Sequence, residues 1–468
     1  MSEFEYSQMA TLMGEIVDEA IAASMEMVGF HGSASEGFEG TFGGGSFIKI
    51  SPLGGRYEGS SFVPGGQARS IPDGYPALFL IPGSYGMPFE DLQGMVDYWW
   101  GEVNGLFDTW WQMPQPQNFA DQVALAQRLA QRFAYGEDGN TGPGVDHFGR
   151  NENLDDIQTI QNRVSNMDGA AMLAFESSFA NKIDDVVNAQ GAAACVSWGC
   201  IAGEQEIWVR AQEAIADIAG KGRNAMTACR GGGANVQALI RVVGAILSVS
   251  GSVLTVGIKV ALSVAGTLTG LGASFVPPPE EETEVPLGAD TPFGVIDNIR
   301  EALEKLSSDI RKEEQWIADA ANGAAQAVAQ DQNRLATPGL VDETDRGSLY
   351  PAGEILAEYA TIKSVANDYM RNISAEIKSA GDTMSGVDSG PWDRPGEIGR
   401  GRTGGFSEWN ALNAAISAAA GETALSINQA ADALVIIADD FAASDEEVRA
   451  DMAALAELTR EQNQTAGF

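Results

Sequence analysis

The chain has 468 residues, 65 acidic and 28 basic, for a formal net charge of −37. A surface this negative is repelled by phosphate backbones and anionic lipid headgroups, which excludes nucleic-acid binding and adsorption through a basic patch. Hydrophobic residues make up 44%, ordinary for a folded protein, and the length suffices for two or three domains with a large core.

The N-terminal sequence MSEFEYSQMATLMGEIVDEA has no basic n-region and no apolar h-region, so it is not a cleavable secretory signal. Residues 3–30 predict an amphipathic helix with Met9, Leu12, Met13, Ile16, Ala20 and Ile21 on its apolar face. Residues 31–75 are rich in Gly and Ser and predict a long loop or marginal hairpin, with Phe47–Ile50 its best strand. Helix is expected again from Phe89 through the aromatic run DYWWGEVNGLFDTWW to just before Pro114, and over about Asn118–Ala134. Residues 1–146 form a first helical region, closed by a Gly/Asp/Asn-rich linker over Gly136–Arg150.

Residues 147–276 predict a helical bundle. Leu154, Ile157, Ile160, Val164 and Met167 form one stripe at helical spacing. Phe175, Phe179, Ile183, Val186 and Val187 form a second, and Ile207, Trp208, Ile215 and Ile218 a third. Each stripe reads as one helix of an antiparallel bundle. Gly231–Gly233 breaks the pattern. Then comes Val242–Val276, 35 residues whose only charge is Lys259. The acidic, proline-rich segment 277–293 is a linker. Region 294–468 is a second helical domain, with helices expected from Val295 to about Val328, from Ile355 to Ile377, and over Phe406–Ala438 and Ser444–Glu461. Strand signals are sparse, and the predicted fold class is all-α.

Little in the chain points to catalysis or to a cofactor. AGKGRN at Ala219–Asn224 lacks the spacing and the following Ser/Thr of a phosphate loop. GRGRTGG at 399–405 follows no strand. There is no Gly-x-Ser-x-Gly elbow and no His-Glu-x-x-His. The histidines, His31 and His147, lie in Gly-rich surroundings far from Cys195, Cys200 and Cys229, which argues against a zinc site. Cys195 and Cys200 point ~140° apart on a straight helix, so a bridge between them needs a turn that the intervening Ser-Trp-Gly could supply. Three free thiols, a Cys195–Cys200 bridge and a Cys200–Cys229 bridge stay open. Acid pairs such as Asp439–Asp440 read as solvated faces. Carboxylate-only glycosidases exist, but they generally use other folds.

Trp409 followed by ALNAAISAAAGETALSINQAADALVIIADDFAASDEEV resembles the WXG-type helical-hairpin proteins handled by type VII secretion systems of actinobacteria. The resemblance implies a hairpin over 406–461. It also implies an export signal of the aromatic-x-x-x-acid type at Phe441 and Asp445, with Phe standing where the family has Tyr. Positions i and i+4 share a helix face, so an aromatic anchor stands beside a charge. Ala171–Ala219 looks like the long hairpin helices of larger family members, and a literal Trp-x-Gly occurs at Trp99–Gly101. The family implies a secretion ATPase or a helical-hairpin protein as partner. It also implies a signal-peptide-independent route to the cell surface or medium after a cytoplasmic stage. An excess of Arg over Lys with abundant Ala and Gly fits a GC-rich actinobacterial genome.

Val242–Val276 admits three readings. It is a core helix or helix pair, a membrane-insertable hairpin of two 17-residue halves with Lys259 at its tip, or a permanent anchor. The Ser/Thr/Gly content and weakly basic flanks disfavour the last. Leaving half the stretch exposed would cost tens of kcal/mol at roughly 25 cal/mol per Å2, so a soluble form must cover it. The expected function is that of a non-enzymatic helical protein working through protein contacts. A membrane-disrupting protein and an oligomeric scaffold are the alternatives.

Overall fold

The structure is a computed structural model that describes residues 4–42, 46–50, 55–58, 61–64, 92–137, 140–141, 148–167, 170–230, 239–243, 282–331 and 359–465. It is all-α in architecture. The helices are α1 (Met9–Met27), α2 (Leu92–Trp111), α3 (Ala120–Phe133), α4 (Asp156–Ser165), α5 (Ala170–Phe175), α6 (Asn181–Cys229), α7 (Pro292–Asp331), α8 (Tyr359–Ser364), α9 (Arg371–Gly381) and α10 (Phe406–Thr465). The buried side chains form one continuous cluster from Met9 to Ala438.

The hub of the bundle is α6, a helix of 49 residues that packs against α1, α3, α7 and α10. Its buried residues lie all round its axis, as an interior helix requires. Gly191, Ala192, Ala193, Ala194, Gly199 and Gly203 keep it thin enough for four neighbours to approach. The end of the second apolar stripe, from Ile183, and the whole of the third therefore share one helix, and Ser-Trp-Gly between Cys195 and Cys200 makes no turn. All three cysteines are free.

Two helices widen into π-helical turns, at Glu176–Ala180 between α5 and α6 and at Val365–Met370 between α8 and α9. Such a turn frees carbonyls from the i→i−4 ladder. Helix α4 keys into both: Gln161 Nε2 donates to the Ala180 carbonyl at 3.2 Å. Arg163 Nη2 donates to Tyr369 Oη at 2.9 Å and lies 4.7 Å from that ring's centre.

The region after α1 holds more strand than its glycines suggest. β1 (Phe30–Ser33), β2 (Gly37–Phe42) and β3 (Ser46–Ile50) form an antiparallel sheet, and β4 (Gly55–Glu58) pairs with β5 (Ser61–Pro64). Gly29, Gly32 and Gly37 adopt positive φ where this part of the chain turns. A two-residue ladder joins β6 (Gly136–Glu137) to β7 (Asn140–Thr141).

A last ladder pairs β8 (Leu239–Val243) with β9 (Glu282–Pro286) in antiparallel register, Val243 opposite Glu282. Val242 and Val243 thus open the apolar stretch in a strand, not in the helix expected there. The rest of 242–276, Lys259 included, lies outside the described residues. Among the described residues no helix is long and apolar enough to cross a membrane.

Helix α10 is a second departure. Two helices, Phe406–Ala438 and Ser444–Glu461, are expected from the sequence; the structure has one continuous helix of 60 residues, ~90 Å long at 1.5 Å per residue. The hairpin assigned to 406–461 is therefore absent within that span. A different antiparallel pair takes its place, because α8 and α9 pack along the first half of α10. Lys363 meets Asp439 at 2.5 Å, Arg371 meets Asp432 at 2.6 Å, and Ser374 Oγ donates to the Ala424 carbonyl at 2.8 Å.

Candidate functional site

The connector between the two arms of this helix pair, residues 382–405, carries Trp392 and Arg394 into the core. Trp392 is wholly buried among Phe119, Phe406 and Trp409, with ring centres 5.5–5.8 Å away. Its indole N–H donates to Gln122 Oε1 at 3.0 Å. Trp409 closes the stack and donates its N–H to the Ser197 carbonyl of α6 at 2.9 Å. Ser197–Asn413 and Gln190–Thr423 hydrogen bonds of 2.6 and 2.8 Å continue this seam and fix the antiparallel register of α10 on α6. Trp409 is therefore a core anchor and presents nothing to solvent.

Arg394 reaches further in. Its guanidinium is fully buried between Glu204 of α6 and Glu314 of α7, both fully buried as well. Nη2 is bonded to Glu314, and Nη1 stands 3.5 Å from Glu204 Oε1. The guanidinium lies 4.8 Å from the centre of the Trp208 ring, whose N–H donates to Glu204 Oε1 at 2.9 Å. The second Glu314 oxygen accepts the Arg400 backbone N–H at 2.7 Å. Gly399 and Gly404, both at positive φ, pass close to the Glu314 carboxylate.

Two carboxylates and one guanidinium would leave a net buried charge. Burial first, and the adjacent Glu314 second, push Glu204 well above the usual carboxylate range, against the opposing pull of Arg394 and the Trp208 N–H. Both influences favour the protonated form of Glu204. Among the described residues its Oε2 has no hydrogen-bond partner, so that oxygen is free to carry the proton. The cluster joins α6, α7 and the connector, and it positions the start of α10.

The helix pair places the export-signal candidates. Phe441 and Asp445 lie on α10 two and six residues past Asp439, where the α8 arm is tied to α10 by Lys363. Both belong to the continuous helix and so share a face at i, i+4 spacing. The packed stripe of α10 runs through Trp409, Leu412, Ile416, Ile427 and Leu434 to Ala438.

The Trp-x-Gly at Trp99–Gly101 lies inside α2, not at a turn between helices. Trp99 is buried, with its N–H donated to Ser24 Oγ of α1 at 2.9 Å. Gly101 faces the other way, into an open groove of about 390 Å3 bounded by α2, α7 and the connector. His31 is exposed on β1, and His147 lies outside the described residues. Burial pushes the thiols of Cys195 and Cys200 up to about 12, which makes them inert at neutral pH.

No family model matches the chain, and comparison with curated proteins and with solved structures also gives no match. The residues that sequence reading missed are Glu204, Glu314 and Arg394. One local signal existed: Glu204 and Trp208 stand at i, i+4, and Glu204 is the first charge after the small and apolar run Gly191–Gly203.

Proposed function

We propose that the chain is a non-enzymatic, signal-peptide-independent cargo or component of a type VII-like secretion pathway, acting through helical surfaces, with Phe441 and Asp445 in its export signal. The observation that carries this reading is the position of that pair. An antiparallel helix pair, Tyr359–Gly381 against Phe406–Ala438, is built on a Trp-containing connector. The aromatic-x-x-x-acid pair follows directly after Asp439, where Lys363 of the first arm meets the second. That is the order of parts in the family the sequence resembles, although the first arm comes from residues upstream of the expected hairpin. Partners of this class are a secretion ATPase or a helical-hairpin protein.

Export of Phe441→Ala and Asp445→Ala variants from an actinobacterial host with an active system tests it. Each substitution should abolish export while leaving the helical circular dichroism unchanged. Normal export of both variants would overturn the assignment.

A second reading, membrane disruption by residues 242–276, has one observation in its favour. The β8–β9 ladder pairs Val242 and Val243, which open the apolar stretch, with Thr283 and Glu282, which follow it in the chain, as a hairpin launched from one place requires. Liposome flotation and dye leakage between pH 4 and 7 test it, and no binding and no leakage at any pH would remove it.

A further inference from the structure

We propose that the groove between α2, α7 and the connector is a docking site for a short cationic segment of a partner protein, an arginine or lysine flanked by aliphatic side chains. The groove's volume of about 390 Å3 falls in the range of ligand sites. Its floor is apolar: Leu106, Leu303 and Ile398 line it with only 9%, 4% and 1% of their surface exposed. Gly101 and Gly105 form the α2 wall, and a Cβ at either would meet nothing within 4 Å. A partner main chain can therefore lie directly against the helix.

The charges choose the occupant. Arg300, the only basic side chain among the described residues that line the groove, is already held by Glu102 at 2.9 Å and by Asp297 at 2.5 Å. Glu304 of α7 and Glu397 of the connector line the groove, are exposed, and have no ion-pair partner among the described residues. An anion is repelled here, and so is a second copy of a chain with net charge −37. A lysine or arginine instead lays its stem on the apolar floor and its head between two unpaired carboxylates.

The connector wall is fixed in advance. Ser307 Oγ donates to the Glu397 carbonyl at 2.9 Å and accepts the Gly399 N–H at 3.2 Å. Buried Arg394 Nε donates to the Ile398 carbonyl at 3.3 Å. Little ordering is left to be done when a ligand binds.

Calorimetric titration of the full chain tests it, with acetyl-Ala-Leu-Arg-Leu-Ala-amide as probe. The same peptide with neutral citrulline in place of arginine, and spermidine, serve as controls. Saturable one-to-one binding of the arginine peptide at micromolar to millimolar concentration is expected, at least tenfold weaker for citrulline and for spermidine. Glu304→Gln and Glu397→Gln should each weaken it ~3-fold, the scale of an exposed ion pair. Gly105→Leu, which favours the α2 helix but fills the groove, should abolish it. Absence of saturation overturns the proposal. So does equal binding of citrulline peptide or spermidine, or unchanged affinity in all three variants with native thermal unfolding.

Discussion

Replacing Arg394 with Met should destabilise the protein more than any surface substitution. The side chain is fully buried, bonded to Glu314, 3.5 Å from Glu204, and stacked 4.8 Å from the Trp208 ring centre. Methionine fills much of the volume, so the cavity term is small. The electrostatic term is large, because removing one partner of a buried ion pair leaves an uncompensated charge and costs ~3–5 kcal/mol. Loss of the cation–π contact adds up to ~2 kcal/mol. A loss of ~4 kcal/mol is a large share of the ~5–15 kcal/mol that holds a typical domain together.

Urea unfolding at pH 7.5, followed by far-ultraviolet dichroism and Trp fluorescence, should show the midpoint fall by that amount divided by the denaturant slope. One further arm isolates the cause. The triple variant Glu204→Gln, Glu314→Gln, Arg394→Met should recover most of the stability, as uncharged replacements of buried ionic clusters do. A single-variant loss under ~1 kcal/mol would refute the reasoning. A triple variant no better than Arg394→Met would show that connector packing, not buried charge, is what matters.

Other substitutions probe the same frame. Gly404→Ala places a methyl group at φ +49° with its carbon 2.6 Å from Glu314 Oε1 and 2.7 Å from Arg394 Nη2; a loss of ~1–3 kcal/mol in urea unfolding is expected. Gly381→Val should pry α9 from α10, since even a Cβ there stands 2.6 Å from the Ala420 methyl. Thermal unfolding should register ~2 kcal/mol, the scale of overpacking. Thiol labelling at pH 8 should modify Cys229, which is only half-buried, before Cys195 and Cys200. All three should react at once in denaturant.

The helices were legible because their apolar positions recur at three and four residues, and α1, α2, α3, α4 and α7 fall close to where that spacing puts them. The errors share a cause: a stripe records where a neighbour packs, not where a helix stops. The sequence past Ala438 is rich in Ala and Glu, both strong helix formers, so α10 runs on through the expected break before Ser444. In α6 Ser-Trp-Gly could have supplied a turn between Cys195 and Cys200, yet Gly199 is buried between neighbours and marks close approach. Residues 30–42 looked like loop because glycines at the turns masked two short strands. The Arg394 cluster was invisible for another reason: its members stand at 204, 314 and 394, and only the tertiary fold brings them together.

The proton on Glu204 also decides how acidity acts on the bundle. Burial, then Glu314, raise its folded value well above 4.5, while in the unfolded chain it titrates near ~4.3. The folded state therefore holds a proton that the unfolded chain releases. The sign follows from linkage: this group's contribution is fully present below about pH 4.3 and is lost as pH rises towards the folded value. Asp184, raised by burial and by Asp185, acts in the same direction. So does the net charge of −37, since protonating surface carboxylates relieves self-repulsion. From pH 8 to 5 these terms tighten the bundle, so acidification works against release of the 242–276 stretch, and proteolysis or partner contact is the better trigger. Glu204→Gln separates the terms. Its amide is uncharged at every pH, and its oxygen can accept the Trp208 N–H, without needing a proton from solvent. The thermal midpoint of the native chain should climb from pH 8 to 5. That of the variant should climb less and should lie above the native value at pH 8. A variant with the native slope, or one less stable at every pH, would mean that Glu204 is charged in the folded state.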